Sequence, residues 1–173
     1  PSIPLKEISE KALQKLSNFS TANEVLAVVK KPVRTDFVSK KGDLHLVLDS
    51  IQDPGNLGTI MRTAEWFGIK NIICSEDTVD CFNPKVVQST MGSLYRVNCH
   101  YMDLHDFLKA QEMPIYGTLL NGKNIYEQKL KQEGFIVVGN ESKGISPEIE
   151  ALISNPLYIP ADKQSKAESL NAS

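Results

Sequence analysis

From about residue 44 onward the sequence predicts an α/β fold, a mostly parallel sheet with helices on both faces, and three observations predict it. Apolar runs of strand length recur along that stretch. Segments with helical spacing separate them, so strand and helix alternate as in repeated strand–helix–strand units. Loops rich in Gly, Pro and Asn follow several of the strands, where ligands bind in such sheets. With 173 residues, 41% of them hydrophobic, the chain is long enough for one well-cored domain with a small appendage.

Before that stretch, Ile8, Ala12, Leu13 and Leu16 fall at helical spacing in ISEKALQKLS and predict a short helix near 8–17. EVLAVVKK (24–31) reads as a strand. KKPVRTDFVSKKGD follows, with Lys30, Lys31, Arg34, Lys40 and Lys41 against two aspartates, and its proline and charge mark a basic linker over 31–43. One helix and one strand cannot enclose a core, so residues 1–30 read as the remnant of another domain. LHLVLDS (44–50) opens the regular part as a strand. NLGTIMRTAEWFG then sets Ile60, Ala64 and Phe67 on one helical face. NIICS is a strand and PKVVQSTMGS a helix begun at Pro84, a residue suited to the first turn. YRVNCHYM is a strand, and DLHDFLKAQ a helix with Asp103 as its cap. PIYGTLL and GFIVVGNE are strands, SPEIEALIS a helix capped by Ser146, and PLYIP a last short strand.

Composition narrows the class. The net charge of −2 excludes a wholesale polycation. No apolar run approaches the roughly 20 residues of a membrane-spanning helix. Cys74, Cys81 and Cys99 fit neither C-x-x-C nor a zinc spacing and read as reduced core thiols of a cytosolic protein. His45, His100 and His105 are scattered, so no metal site is expected. The first residue is Pro1, with no signal-peptide pattern behind it, which suggests a longer gene product.

Three loops hold the candidate chemistry. DSIQDPGNLGTIMR (49–62) offers Asn56 and Arg62 around a Pro-Gly turn and Gly58. It satisfies neither dinucleotide motif nor the phosphate loop, which removes a nicotinamide oxidoreductase from contention. Arg62 is one of only three arginines, and a planar guanidinium suits phosphate or an oxyanion. VVGNESKGIS (137–146) places Gly139, Asn140 and Glu141 in a tight turn. The final segment sets Ser169 and Asn171 around Leu170. Taken singly, each loop is equally well a strand exit with a surface Arg, a carboxylate receiving backbone N–H groups, or a serine helix cap.

Taken together, N-x-G-x-x-x-R, G-N-E-x-x-G and I-P followed by S-L-N resemble the three motifs of the SpoU/TrmH family, the RNA ribose 2′-O-methyltransferases of the SPOUT superfamily. The resemblance covers about residue 43 to the end, and STMGS (89–93) shares it. SEKALQKLS with VLAVV is similar to the end of a small ribosomal-protein-like RNA-binding domain, which favours the ribosomal RNA subgroup over tRNA enzymes. The resemblance implies a carboxyl-terminal trefoil knot, S-adenosylmethionine as cofactor, a cytoplasmic homodimer and RNA as partner. It implies that Asn56 and Arg62 position and activate the acceptor hydroxyl, that Glu141 orders the site, and that Ser169 and Asn171 form the third polar pair. Leu119, Gly139, Asn140, Ile159 and Leu170 would enclose the adenosyl group, and the basic residues of the linker would meet RNA. An RNA-binding protein that has lost turnover is the alternative within the family. Two departures stand out: about two extra residues between Pro160 and Ser169, and Ala172 where Val is usual. Family members run on into an apolar helix, so Ser169 to Asn171 should open one whose stump, ending at Ser173, would be frayed.

Overall fold

The computed structural model describes residues 4–17, 20, 23–32, 37–162, 165 and 171–173, and the chain divides into two units, Pro1–Thr35 and Asp36–Ser173. In the first unit a helix forms where its spacing predicts one, α1 (Glu10–Leu16). The Ser9 hydroxyl accepts from the Ala12 N–H, and Glu10 and Lys15 sit at the ends that the helix dipole favours. The strand expected over 24–31 does not form. A β-branched run becomes a strand only when a neighbour takes its N–H and C=O groups. No described strand forms a ladder with it, and Val25 and Val28 are 80% and 93% exposed.

The second unit holds six strands: β1 (Leu44–Leu48), β2 (Asn71–Cys74), β3 (Asn98–Tyr101), β4 (Ile115–Asn124), β5 (Gly134–Val138) and β6 (Asn155–Tyr158). All described pairings are parallel, in the order β3-β2-β1-β5-β4-β6. The helices are α2 (Pro54–Trp66), α3 (Pro84–Ser89), α4 (Leu104–Lys109) and α5 (Pro147–Glu150). Alternation along each strand explains why the runs are apolar throughout. Leu48, Ile72 and Cys74 pack with α2 and α3, while Val47, Ile73 and Val137 pack with α4 and α5. Both faces are therefore covered, as a parallel sheet requires. The three cysteines are buried free thiols.

Starts and stops follow local chemistry. Asp53 caps α2 by accepting the Asn56 N–H at 2.8 Å, Asn83 caps α3 ahead of Pro84, and Asp103 caps α4 through the Asp106 N–H at 2.9 Å. Ser146 stands at the cap position of α5, but its hydroxyl makes no capping bond; instead its N–H donates to Asp49 Oδ2 at 2.7 Å. Phe67 departs from the expected buried face. It lies just past the helix and is 74% exposed, and the buried stripe is Leu57, Gly58, Ile60, Met61 and Ala64. Helix α3 stops at Ser89, short of 93, because Met91 and Gly92 take positive φ; a 3-10 turn over Ser93–Tyr95 then replaces the first residues of the expected strand.

The strand order reverses between β1 and β5. The crevice beyond the carboxyl ends of those two strands is where an open parallel sheet can admit a ligand. The loops leaving them are 49–53, which leads into α2, and 139–146, which leads into α5.

Candidate active site

Those two loops carry the first and second motifs, and the structure joins them. Asn56, in the first turn of α2, donates from Nδ2 to Glu141 Oε1 at 2.8 Å. Its Oδ1 accepts from Asn171 Nδ2 and from the Ser173 hydroxyl, both at 3.0 Å. One side-chain amide thus links residues 85 and 115 positions away, and the third motif meets the other two at Asn56. Ala172 packs against the core cluster beneath α2. Residues 171–173 are accordingly docked rather than frayed, and they are not helical.

Backbone geometry makes the convergence possible. Gly58 lies so close to α3 that an added Cβ would stand 1.8 Å from Ser89 Oγ. The Ser89 hydroxyl in turn donates to the Pro54 carbonyl at 3.1 Å, fixing the start of α2. Gly139 is equally confined, since a Cβ there would meet the Gly144 carbonyl carbon at 2.2 Å. Across that turn Asn140 and Gly144 exchange two backbone hydrogen bonds of 2.9 Å. Asn140 Oδ1 accepts the N–H groups of Ser142 and Lys143, and its Nδ2 donates to the Ser50 carbonyl at 2.8 Å. Asn140 commits its Oδ1, an Nδ2 hydrogen and both main-chain groups to the protein, and these bonds hold the turn that presents Glu141.

Sequence reasoning passed over two acidic residues. Asp49 is buried at the end of β1 and ties that strand to the start of α5 through Ser146. Its signal was a carboxylate closing an otherwise apolar strand. Asp77, in the loop after β2, accepts the hydroxyls of Ser50 and Ser75 at 2.5 and 2.6 Å, and these bonds hold its carboxyl below the usual range.

The other expected residues fall outside this knot of contacts. Arg62 is exposed six residues further along α2, about 9 Å by helical rise, and among the described residues it has no hydrogen-bond or ion-pair partner. Leu119, Gly139 and Ile159 lie where β4, β5 and β6 give out. Residues 119–122 leave the β4–β6 ladder as a bulge, and both Leu120 and Ile159 are exposed. Ser169, Leu170 and Arg34 lie outside the described residues. Lys30 and Lys31 are exposed in the first unit, and Lys40 and Lys41 in the second. Among the described residues, Asp103, His105 and Asp106 could bring ligand atoms together, but they are on α4 and in none of these loops.

Residues 43–173 match the SpoU rRNA Methylase family. The chain is similar to the 23S rRNA (guanosine(2553)-2′-O)-methyltransferase RlmP of Bacillus subtilis, at 33% identity over 95% of this chain and 66% of that protein. Among solved structures, a TrmH-family protein from Porphyromonas gingivalis superposes with a TM-score of 0.84 and 41% identity, over 92% of this chain and 65% of the other. An AdoMet-bound rRNA methyltransferase from Sinorhizobium meliloti gives a TM-score of 0.69 and 31% identity, over 77% of this chain and 52% of that one. The chain thus spans about two thirds or less of the length of these relatives. A match over residues 43–173, with Asn56, Glu141 and Asn171 of its three motifs in contact, places the chain in the SpoU rRNA methylase family.

Proposed function

We propose that this chain is the catalytic part of an S-adenosylmethionine-dependent RNA ribose 2′-O-methyltransferase acting on ribosomal RNA. The observation that carries this reading is the Asn56 amide, bonded at once to Glu141 and Asn171, because it joins one polar residue from each of the three motifs at the switch point of the sheet. Its support for ribosomal RNA is the relative from Bacillus subtilis, named for a 23S rRNA target.

The residues present fit the cofactor. The bulge at 119–122 stands outside the β4–β6 ladder, with main-chain groups that the ladder does not use, and Leu120 within it and Ile159 just after β6 expose apolar surface. An adenosyl group needs that combination of apolar wall and fixed donors. When bound, S-adenosylmethionine supplies a methyl on a positively charged sulfur, open to displacement by a hydroxyl oxygen. Overall a C–O bond forms, a C–S bond breaks and the hydroxyl proton is released. The chain must then align the acceptor and stabilise negative charge growing on its oxygen. Glu141 fixes the direction of the Asn56 amide. Arg62 has all its donors free among the described residues and offers a planar fork of N–H groups, so its part is electrostatic: it holds the acceptor's oxyanion or the neighbouring phosphate. Lys30, Lys31, Arg34, Lys40 and Lys41 add phosphate contacts. The trefoil knot, the homodimer with its site near the subunit boundary, the cytoplasmic location and the origin of residues 1–30 in an RNA-binding domain belong to the same reading, on the strength of the family.

The test is transfer of labelled methyl to an unmethylated transcript of 23S rRNA. Arg62→Ala should lower turnover by about 10²–10³, the usual loss for one oxyanion donor, with S-adenosylmethionine affinity by calorimetry nearly unchanged. Arg62→Lys should also be severely impaired, since a point charge cannot reproduce the fork. Near-normal turnover of the lysine variant would refute the role of Arg62, and no transfer by the wild-type protein would refute the reading itself.

A further inference from the structure

The geometry points to Asp77 as a positioning residue that fixes the Glu141 turn through the backbone of Ser50. Ser50 has φ of 58°, a left-handed conformation that non-glycine residues rarely adopt. Three bonds hold it there. Its hydroxyl donates to Asp77 Oδ2 at 2.5 Å, its N–H donates to Ser75 Oγ at 2.8 Å, and its carbonyl accepts Asn140 Nδ2 at 2.8 Å. Asp77 also orients the second of these, because the Ser75 hydroxyl donates to Asp77 Oδ1 at 2.6 Å. One exposed carboxylate therefore locks the loop after β1 from two sides.

The consequence lies across the crevice. The left-handed turn at Ser50 aims its carbonyl at Asn140, and Asn140 gathers the N–H groups of Ser142, Lys143 and Gly144 into the turn. Glu141 lies within that turn and receives Asn56. Lys143 of the same turn adds its charge to those favouring the ionised Asp77. Asp77 thus acts on Glu141 at second hand, through Ser50 and Asn140. Sequence spacing could not show this, because Asp77 lies 27 residues from Ser50 and reaches it only across the β1–β2 pair.

The consequence for turnover rests on the methyl-transfer reading above; the coupling itself does not. The experiment compares wild type, Asp77→Ala, Ser50→Gly and the double variant, each in the full chain. Amide hydrogen exchange over 139–145 reads the turn, and methyl transfer to an unmethylated 23S rRNA transcript reads its use. With Asp77→Ala, exchange over 139–145 should rise about tenfold and kcat should fall about tenfold, as loss of a strained conformer's restraint implies; KM for S-adenosylmethionine should stay within about twofold. Glycine takes positive φ without strain, so Ser50→Gly in that background should return both to within about twofold of the Ser50→Gly single variant. Unchanged exchange in Asp77→Ala would overturn the proposal. So would a kcat loss that Ser50→Gly leaves in place, since Asp77 would then act on substrate directly. A wild-type protein that transfers no methyl refutes the functional reading, while the exchange result still judges Asp77.

Discussion

Asn56 works because an amide has two unlike ends. Its donor faces the Glu141 carboxylate and its acceptor faces Asn171 and Ser173. Asn56→Asp keeps the shape but sets one carboxylate against another and discards the donor. It should reduce methyl transfer by at least about 10²-fold, the scale for one misdirected polar group in a site. The folded stability, read by urea unfolding, should change much less because the pair is only half-buried. Retained transfer would show that the link to Glu141 is incidental. The motif residues were legible in the sequence as motifs, because Asn56, Glu141 and Asn171 keep fixed company with Gly58, Gly139 and Gly144. Their meeting was not, since separations of 85 and 115 positions close only when the sheet order puts β5 beside β1. Asp49 and Asp77 were illegible for another reason: each looks like any loop acid until its hydroxyl or N–H partners are in place.

At the scale of elements, the sequence is most legible where burial is two-sided and least where an element lacks a partner. The strands β1, β2 and β5 fall inside their apolar runs because both faces are packed. The segment 24–31 is also rich in β-branched residues and forms no strand, since propensity alone does not make one where no neighbouring strand supplies a ladder. Phe67 failed for a reason of length, because α2 ends one residue before it. The junction of α2 with α3 rests on Gly58, where the nearest atoms to an added Cβ include the Ser89 main-chain carbon at 2.9 Å. Gly58→Ala should therefore destabilise the fold by about 1–3 kcal/mol, the range for forced overpacking. Ser89→Gly in that background should recover only part of this, because the main chain still intrudes. Urea denaturation of the two variants checks it, and full recovery would locate the conflict in the Ser89 side chain alone.

The sheet-bearing unit as a whole carries one ionisable group that its core cannot hydrate. His45 on β1 is 2% exposed, and among the described residues neither ring nitrogen has a hydrogen-bond partner. Rings surround it from several elements: Phe37 edge-on with centroids 5.1 Å apart and Phe135 of β5 stacked at 5.4 Å. Phe107 of α4 and His100 of β3 pack on these in turn. Burial pushes the His45 pKa below its ordinary value, with nearby Asp43 opposing that shift and His100 adding to it. The folded state therefore takes up a proton on His45 less readily than the unfolded chain, which titrates near about 6.5. Because the unfolded state then binds more protons, stability is fully present above that pH and falls as pH drops through it. The loss should be read between roughly pH 6.5 and 5.5, before the carboxylates begin to titrate. His45→Phe keeps a ring among rings and removes the titration. It should flatten urea-derived stability across that window and make the variant the more stable protein at its acid end. His100, whose Nε2 lies 3.1 Å from Asn71 Oδ1, provides the contrast. If the slope survived His45→Phe and vanished in His100→Gln, the proton would belong to the paired histidine rather than to the buried one.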